Sequence, residues 1–316
     1  MSKSGKFRMI VGVALASMLL IGVAPAAQAS AGTTKPAPTY LALGDSLSYG
    51  YHAAQFASEY PNINPASFDA GFVDDFGAAL KFFNPNLQIV NDGCPGETSD
   101  TFINGSGVPG YCAGGPTGTP FPYIWLHHPY GASSQLADAL SILSTNHAVS
   151  VITFDIGAND VLQFLEHTCG FPATFTCGAA QIGAEFTHVV ENVGFILGQL
   201  HAAAPHAKIV ELGLYNPYPA VLPAPGGDQL VAQLNTALAG VAAEVPGVSF
   251  ANPEPVFNPA GYHGKAETGD IPTICLLTAM CPGGTYNPLS PSADIHPTTL
   301  GYGVLATVIG LTYLTH

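Results

Sequence analysis

Five short apolar runs recur along this chain, and segments with helical spacing separate them. The runs are "TYLALG" (39–44), "NLQIVNDG" (86–93), "VSVITFDIG" (149–157), "AKIVELGLY" (207–215) and "VSFANP" (248–253). Apolar residues at helical intervals fill "GFVDDFGAALKFF" (71–83), "SSQLADALSILSTN" (133–146) and "GAEFTHVVENVGFILGQLHAAAP" (183–205), the last ended by Pro205. Two more follow: "DQLVAQLNTALAGVAAEVP" (228–246), with Asp228 placed to cap it, and "TTLGYGVLATVIGLTYL" (298–314). Strands joined by helical crossovers pair in parallel and need cover on both faces. The expectation is therefore an α/β domain around a parallel sheet. Its ligand site should lie at the carboxyl ends of the strands.

Residues 104–131, 166–179 and 252–292 are rich in Gly and Pro or irregular, and they read as long loops. No repeat or linker divides the chain. The amino end is different in kind. Lys3, Lys6 and Arg8 precede an apolar stretch from Met9 to about Val23, and Ala27-Gln28-Ala29 offers a small-residue cleavage site. The stretch is short for a span of about 20 residues. Residues 1–29 are expected to be a signal peptide, 30–38 a flexible mature terminus and 39–316 one domain. The mature chain would be secreted, with no stable membrane insertion.

The leader holds three of the seven Lys and Arg and none of the 21 Asp and Glu, so the remainder carries a formal charge of −17. Such a surface repels phosphate backbones, which excludes nucleic acid as a partner. An even count of six cysteines in an exported chain points to disulfides. Six cysteines allow fifteen connectivities. Proximity favours Cys94–Cys112, Cys169–Cys177 and Cys275–Cys281. They form no CxxC pair and have no nearby histidine pair, so no metal ligands are assigned.

The strand ends carry the chemistry. The first run stops in "GDSLS", which presents Ser46 directly after a strand. It differs from the G-x-S-x-G elbow, because Ser48 stands where the last glycine belongs. The second run enters "NDGCPGETSD", with Gly96 in a turn. The third enters "DIGAND", with Asn159 just past a buried strand, and "SADIHPTTLGYG" near the end holds His296 before Pro297. Singly, each has an ordinary structural use: a turn serine, a turn glycine, a helix-capping asparagine, a surface histidine. Together they put a serine, two oxyanion donors and a histidine at one edge of one sheet. Ester hydrolysis needs that set, with the histidine taking the serine proton and each oxyanion donor worth about 3 kcal/mol.

With these residues in view, the chain resembles the SGNH hydrolases of the GDSL esterase/lipase group, of the secreted bacterial type. Gly44-Asp45-Ser46-Leu47 matches the first family block, Gly96 in "GETS" the second, Gly157-Ala158-Asn159-Asp160 the third and His296-Pro297 the fifth. The matches run in family order across residues 40–303. The resemblance implies a three-layer α/β/α sandwich with a flavodoxin-like parallel sheet of about five strands, and no metal or organic cofactor. It implies Ser46 as nucleophile and His296 as base. The Ser46 N–H, the Gly96 N–H and the Asn159 side chain would form the oxyanion hole. The family acid usually stands three residues before the histidine, where this chain has Ala293. Asp294, two residues before, is the candidate acid; the alternative is the Ala293 carbonyl and a Ser–His dyad.

Smaller roles are expected elsewhere. Asp45 braces the nucleophile turn, and Asp160 anchors the Asn159 loop. Trp125, His127 and His128 are candidates to line a substrate cleft. Residues 271–282 border an acyl pocket or simply pack under a loop. The reading is a secreted serine esterase or lipase acting as a monomer on a small-molecule or lipid ester through an acyl-enzyme on Ser46. Its rivals are a carbohydrate esterase of the acetyl-xylan type and a non-catalytic secreted binding module on the same fold. Acyl length, alcohol moiety and disulfide connectivity stay open at this point.

Overall fold

A computed structural model describes residues 37–113, 120–131, 133–222 and 226–316. The expected signal peptide and most of the expected flexible terminus lie outside the described residues. Five strands make the central sheet: β1 (Thr39–Gly44), β2 (Gln88–Asn91), β3 (Val149–Asp155), β4 (Lys208–Leu212) and β5 (Val248–Ala251). All four pairings are parallel, in the order β2-β1-β3-β4-β5. The order reverses between β1 and β3, and it is there that an open α/β sheet leaves a crevice at its carboxyl edge.

Seven helices matter to the site: α1 (Ser46–Tyr49), α2 (Phe72–Phe83), α3 (Gln135–Thr145), α4 (Ala158–His167), α5 (Ala179–Ala203), α6 (Gly227–Glu244) and α7 (Thr299–Thr315). The two-residue period of β1 sorts them into layers. Tyr40 and Ala42 face one core, with Phe72, Val73 and Phe76 of α2 and Tyr302, Leu305 and Ile309 of α7. Leu41 and Leu43 face the other, with Leu136 and Leu143 of α3, Val193 and Leu197 of α5 and Leu234 and Leu238 of α6. Because β1 is buried on both faces, it reads as a continuous apolar run. The result is the α/β/α sandwich.

Several details depart from the sequence reading. Helix α4 occupies part of the stretch that follows "DIGAND" and reaches His167, so the irregular insert begins only at Thr168. Helix α5 starts at Ala179, four residues earlier than the apolar spacing shows, because its first turn is exposed. Asp228 does not cap α6. It lies inside the first turn after the Gly226 cap, where its carboxylate accepts the Asn216 side-chain N–H at 2.7 Å. Residues 252–292 also contain short helices rather than loop alone, including Ile271–Leu277.

Candidate active site

β1 must stop at Gly44 for a steric reason. Its φ is +147°, and a side chain there would drive a Cβ into Asp155 Oδ1 at the end of β3. Gln135 grips the same glycine, accepting from its N–H at 2.6 Å and donating to its carbonyl at 2.9 Å. Asp155 then accepts from the Asp45 N–H at 3.4 Å, from the Ser48 N–H at 3.3 Å and from the Ser48 hydroxyl. Asp45 caps α1 by accepting from the Leu47 N–H at 2.9 Å. These bonds fix the turn that carries Ser46.

The Ser46 hydroxyl lies 2.9 Å from His296 Nε2, across 250 residues of sequence. On the other side of the ring, Nδ1 stands 2.5 Å from Asp294 Oδ1. The remaining Asp294 oxygen accepts from the Ala53 N–H at 2.9 Å. A carboxylate partner on Nδ1 leaves Nε2 free to accept the serine proton. Tyr51 packs against the imidazole with ring centroids 4.7 Å apart, and Tyr215 donates to the Ile295 carbonyl at 2.6 Å.

Asn159 opens α4 behind Gly157, whose φ is +122°. Its side-chain N–H₂ donates to Asp45 Oδ2 at 3.1 Å and to the Glu97 carbonyl at 3.0 Å. Gly96, with φ +85°, is drawn to the same helix by Gln163, which donates to its carbonyl at 3.2 Å. Asp160 ties that turn down further, accepting from the Ser99 N–H at 3.0 and 2.9 Å through its two oxygens. Residues from three strand ends and the last loop therefore meet.

The electrostatics divide the acids into two kinds. Burial pulls the Asp294 carboxyl upward, but the bond from His296, the charge it bears when protonated and the Ala53 N–H outweigh this and hold it below its ordinary value. Asp294 is therefore an anion. Behind the serine, burial pushes Asp155 well above the carboxylate range, reinforced by the charge of Asp45. Burial does the same to Glu97, and it raises Asp45 and Asp160. The acids behind the serine thus hold their protons more tightly than free carboxyls do.

A cavity of about 990 Å³, counting the part open to solvent, begins at Ser46, Asn159 and His296. It runs between α4, α5 and α6, past Leu165, Phe171, Phe186, Tyr218 and Leu230. Its walls are mostly aliphatic and aromatic. The family model described as GDSL-like lipase/acylhydrolase matches residues 42–304, which include every residue of this arrangement.

The chain belongs to the GDSL-like lipase/acylhydrolase family. It is a carboxylic ester hydrolase by that membership. No curated protein sequence matches it. Solved structures do share the fold. A lipase from a goat rumen metagenome is 16% identical with a TM-score of 0.52, covering 87% of this chain and 97% of its own. Phospholipase A1 from Streptomyces albidoflavus is 18% identical with a TM-score of 0.50, covering 87% and 99%. An extracellular lipase from Streptomyces rimosus is 16% identical with a TM-score of 0.50, covering 87% and 100%.

Other residues singled out in this acylhydrolase lie apart from the cavity. Trp125 packs on Phe56, Tyr60 and Phe121, His127 contacts the Tyr49 carbonyl, and His128 contacts Asp92. None of the three lines the cavity, and no residue of 271–282 does; Ile274, Leu277 and Met280 pack in the core instead. Disulfides join Cys94 to Cys112, Cys169 to Cys177 and Cys275 to Cys281. The sequence reading missed Asp155, Gln135, Gln163 and the cavity walls. For Asp155 a signal existed: an acid inside the apolar run "VITFDIG" has no ordinary reason to be buried.

Proposed function

We propose that this chain is an exported serine esterase or lipase that cleaves esters with an apolar acyl group through an acyl-enzyme on Ser46. The observation that carries the reading is the line from Asp294 through His296 to Ser46 at the mouth of an apolar cavity. Ser46 Oγ attacks the ester carbonyl while Nε2 of His296 takes its proton, and Asp294 stabilises the imidazolium. The imidazolium then protonates the alcohol as it leaves. Water, activated by the same nitrogen, attacks the acyl-serine, and the acid departs with Ser46 regenerated.

The developing oxyanion would draw on the Ser46 and Gly96 N–H groups and on Asn159. As the first residue of α1, Ser46 has no helical partner for its N–H. In the resting site the Asn159 amide donates to two acceptors, so its turn toward the oxyanion exchanges the Asp45 contact for a bond to the charge that develops on the substrate. No residue of this scheme needs a metal or organic cofactor.

The cavity favours an acyl chain over an acetyl group, which would leave most of the apolar wall uncovered. This weighs against the acetyl-xylan reading, and the assembled Ser46 and His296 weigh against a binding module. The three disulfides support export, as does the leader of residues 1–29. No helix among the described residues is long and apolar enough to cross a membrane. A small-molecule or lipid ester is the partner, met by a monomer. The test is labelling by a fluorophosphonate with esterase assays alongside, on the intact chain and on Ser46→Ala. Labelling and turnover should both vanish in a folded Ser46→Ala protein. Retained turnover would overturn the mechanism.

A further inference from the structure

A second cluster lies outside the ester site. Asp92 directly follows β2 and is fully buried. Asp138 sits in the first turn of α3 and is 5% exposed. His128, half-buried, comes from the segment between Phe121 and α3. Its Nδ1 stands 2.7 Å from Asp92 Oδ1 and 3.6 Å from Asp138 Oδ2. Two carboxylate oxygens here, Asp92 Oδ2 and Asp138 Oδ2, have no hydrogen-bond partner. The second of them points at the imidazole.

The charge does not close. With both carboxylates ionised, even a protonated His128 leaves one negative charge buried, and an uncompensated buried charge is costly. Among the described residues every ion pair is made by a histidine, so no Lys or Arg supplies the balance. A divalent cation with a neutral imidazole and two carboxylates would leave none.

We propose that Asp92, His128 and Asp138 bind one divalent cation of the zinc class, which clamps the His128 segment to the end of β2 and the start of α3. One ligand atom from each residue lies within 4.8 Å of the others. Around an ion with bonds of 2.0–2.2 Å, neighbouring ligand atoms stand about 3.3 Å apart, so the present separations need only small adjustments. One imidazole with two carboxylates suits zinc better than calcium, and the exposed side of His128 leaves room for water in the open position. An outer layer already orients the ligands. The Gly131 N–H donates to Asp138 Oδ1 at 2.8 Å, and the Tyr130 hydroxyl donates to the Asp92 carbonyl at 2.5 Å. On binding, a charged imidazole releases its Nδ1 proton to solvent and keeps its hydrogen on Nε2. Asp92 precedes Gly96 by only four residues, so the clamp would also steady that turn.

The test uses the intact chain, stripped with a chelator and titrated with Zn²⁺ by calorimetry, beside His128→Gln and Asp138→Asn. The intact chain should bind one equivalent more than either variant. Its Tm should rise by several degrees with Zn²⁺, and the variants should lack that rise. Zn²⁺ held by His296 or by surface histidines is common to all three proteins and cancels. His128 is half-buried, so its variant should fold even where Asp138→Asn does not. Equal stoichiometry in the intact chain and His128→Gln would overturn the site and leave His128 as a charged bridge between carboxylates. An extra equivalent without a Tm rise would overturn the clamp.

Discussion

Asp294 and His296 stand two residues apart on one short extended segment, and the carboxylate meets Nδ1 of the imidazole at 2.5 Å. Successive side chains of a strand alternate, so residues i and i+2 share a face. In Asp294–Pro297 a spacing of two therefore suffices to bring acid and base together. The Ala293 carbonyl is the competing acceptor, and the geometry supports Asp294. Asp294→Asn keeps the shape and spoils the tautomer. In a serine-protease triad the equivalent exchange costs about 10⁴ in kcat, and a loss of that order is expected here. Steady-state kinetics with a circular dichroism check will measure it. A loss under about tenfold would assign the work to the Ala293 carbonyl.

Asn159→Ala should lower kcat by about 10²–10³ while KM changes little, because the amide bonds the oxyanion rather than the ground-state ester. Asp45 holds the same amide in the resting site. Its removal should not reproduce that pattern, since Asp45 also caps α1. Measuring kcat and KM separately for Asn159→Ala decides the point. An effect confined to KM would make Asn159 a substrate-binding residue.

The strand ends were legible in the sequence because each ends an apolar run on residues with chemistry to offer. Ser46, Gly96 and Asn159 are visible that way, His296 stands out by its place before Pro297, and the parallel sheet follows from the alternation around them. The cavity was not legible. Its walls come from α4, α5, α6 and the Phe171 loop, and their apolar residues follow the same helical spacing that core packing imposes. Nothing in a pattern of Leu, Val and Phe tells a wall from a core. Asp228 misled for a related reason. An acid near a helix start reads as a cap, whereas this one turns inward to Asn216.

That inward acid gives a pH prediction. Burial first, and then the charges of Glu267 and Asp270, push the Asp228 carboxyl up to about 7 despite the bond from Asn216. A folded pKa above the unfolded one means the native state holds the extra proton. The stabilisation is complete below about pH 4 and is lost as pH rises through about 7. Asp155 and Glu97, also raised by burial, add in the same direction. Asp294 acts oppositely, but only below its ordinary carboxylate range. Tm should therefore fall between about pH 4.5 and about pH 8, and Asp228→Asn should flatten the decline. Scanning calorimetry across that window checks both. A Tm that rises with pH would contradict the assignment.

The cavity predicts how rate depends on acyl length. A p-nitrophenyl ester series should rise from acetate toward medium chains, since each buried methylene contributes about 0.8 kcal/mol where wall is available to cover it. Leu230, on α6, lines the cavity and packs with Leu165 and Phe171. Leu230→Phe places a larger ring in that space. It should slow octanoate hydrolysis by about tenfold or more, consistent with the roughly 1–3 kcal/mol a hydrophobic pocket assigns to small changes of fit. Acetate, which needs only the mouth near Ser46, should stay within about twofold. Both esters share the same nucleophile and base, so the ratio of the two rates isolates the pocket from the chemistry. Any general loss of stability would lower both rates together. If Leu230→Phe leaves the octanoate-to-acetate ratio unchanged, the acyl chain does not enter this cavity.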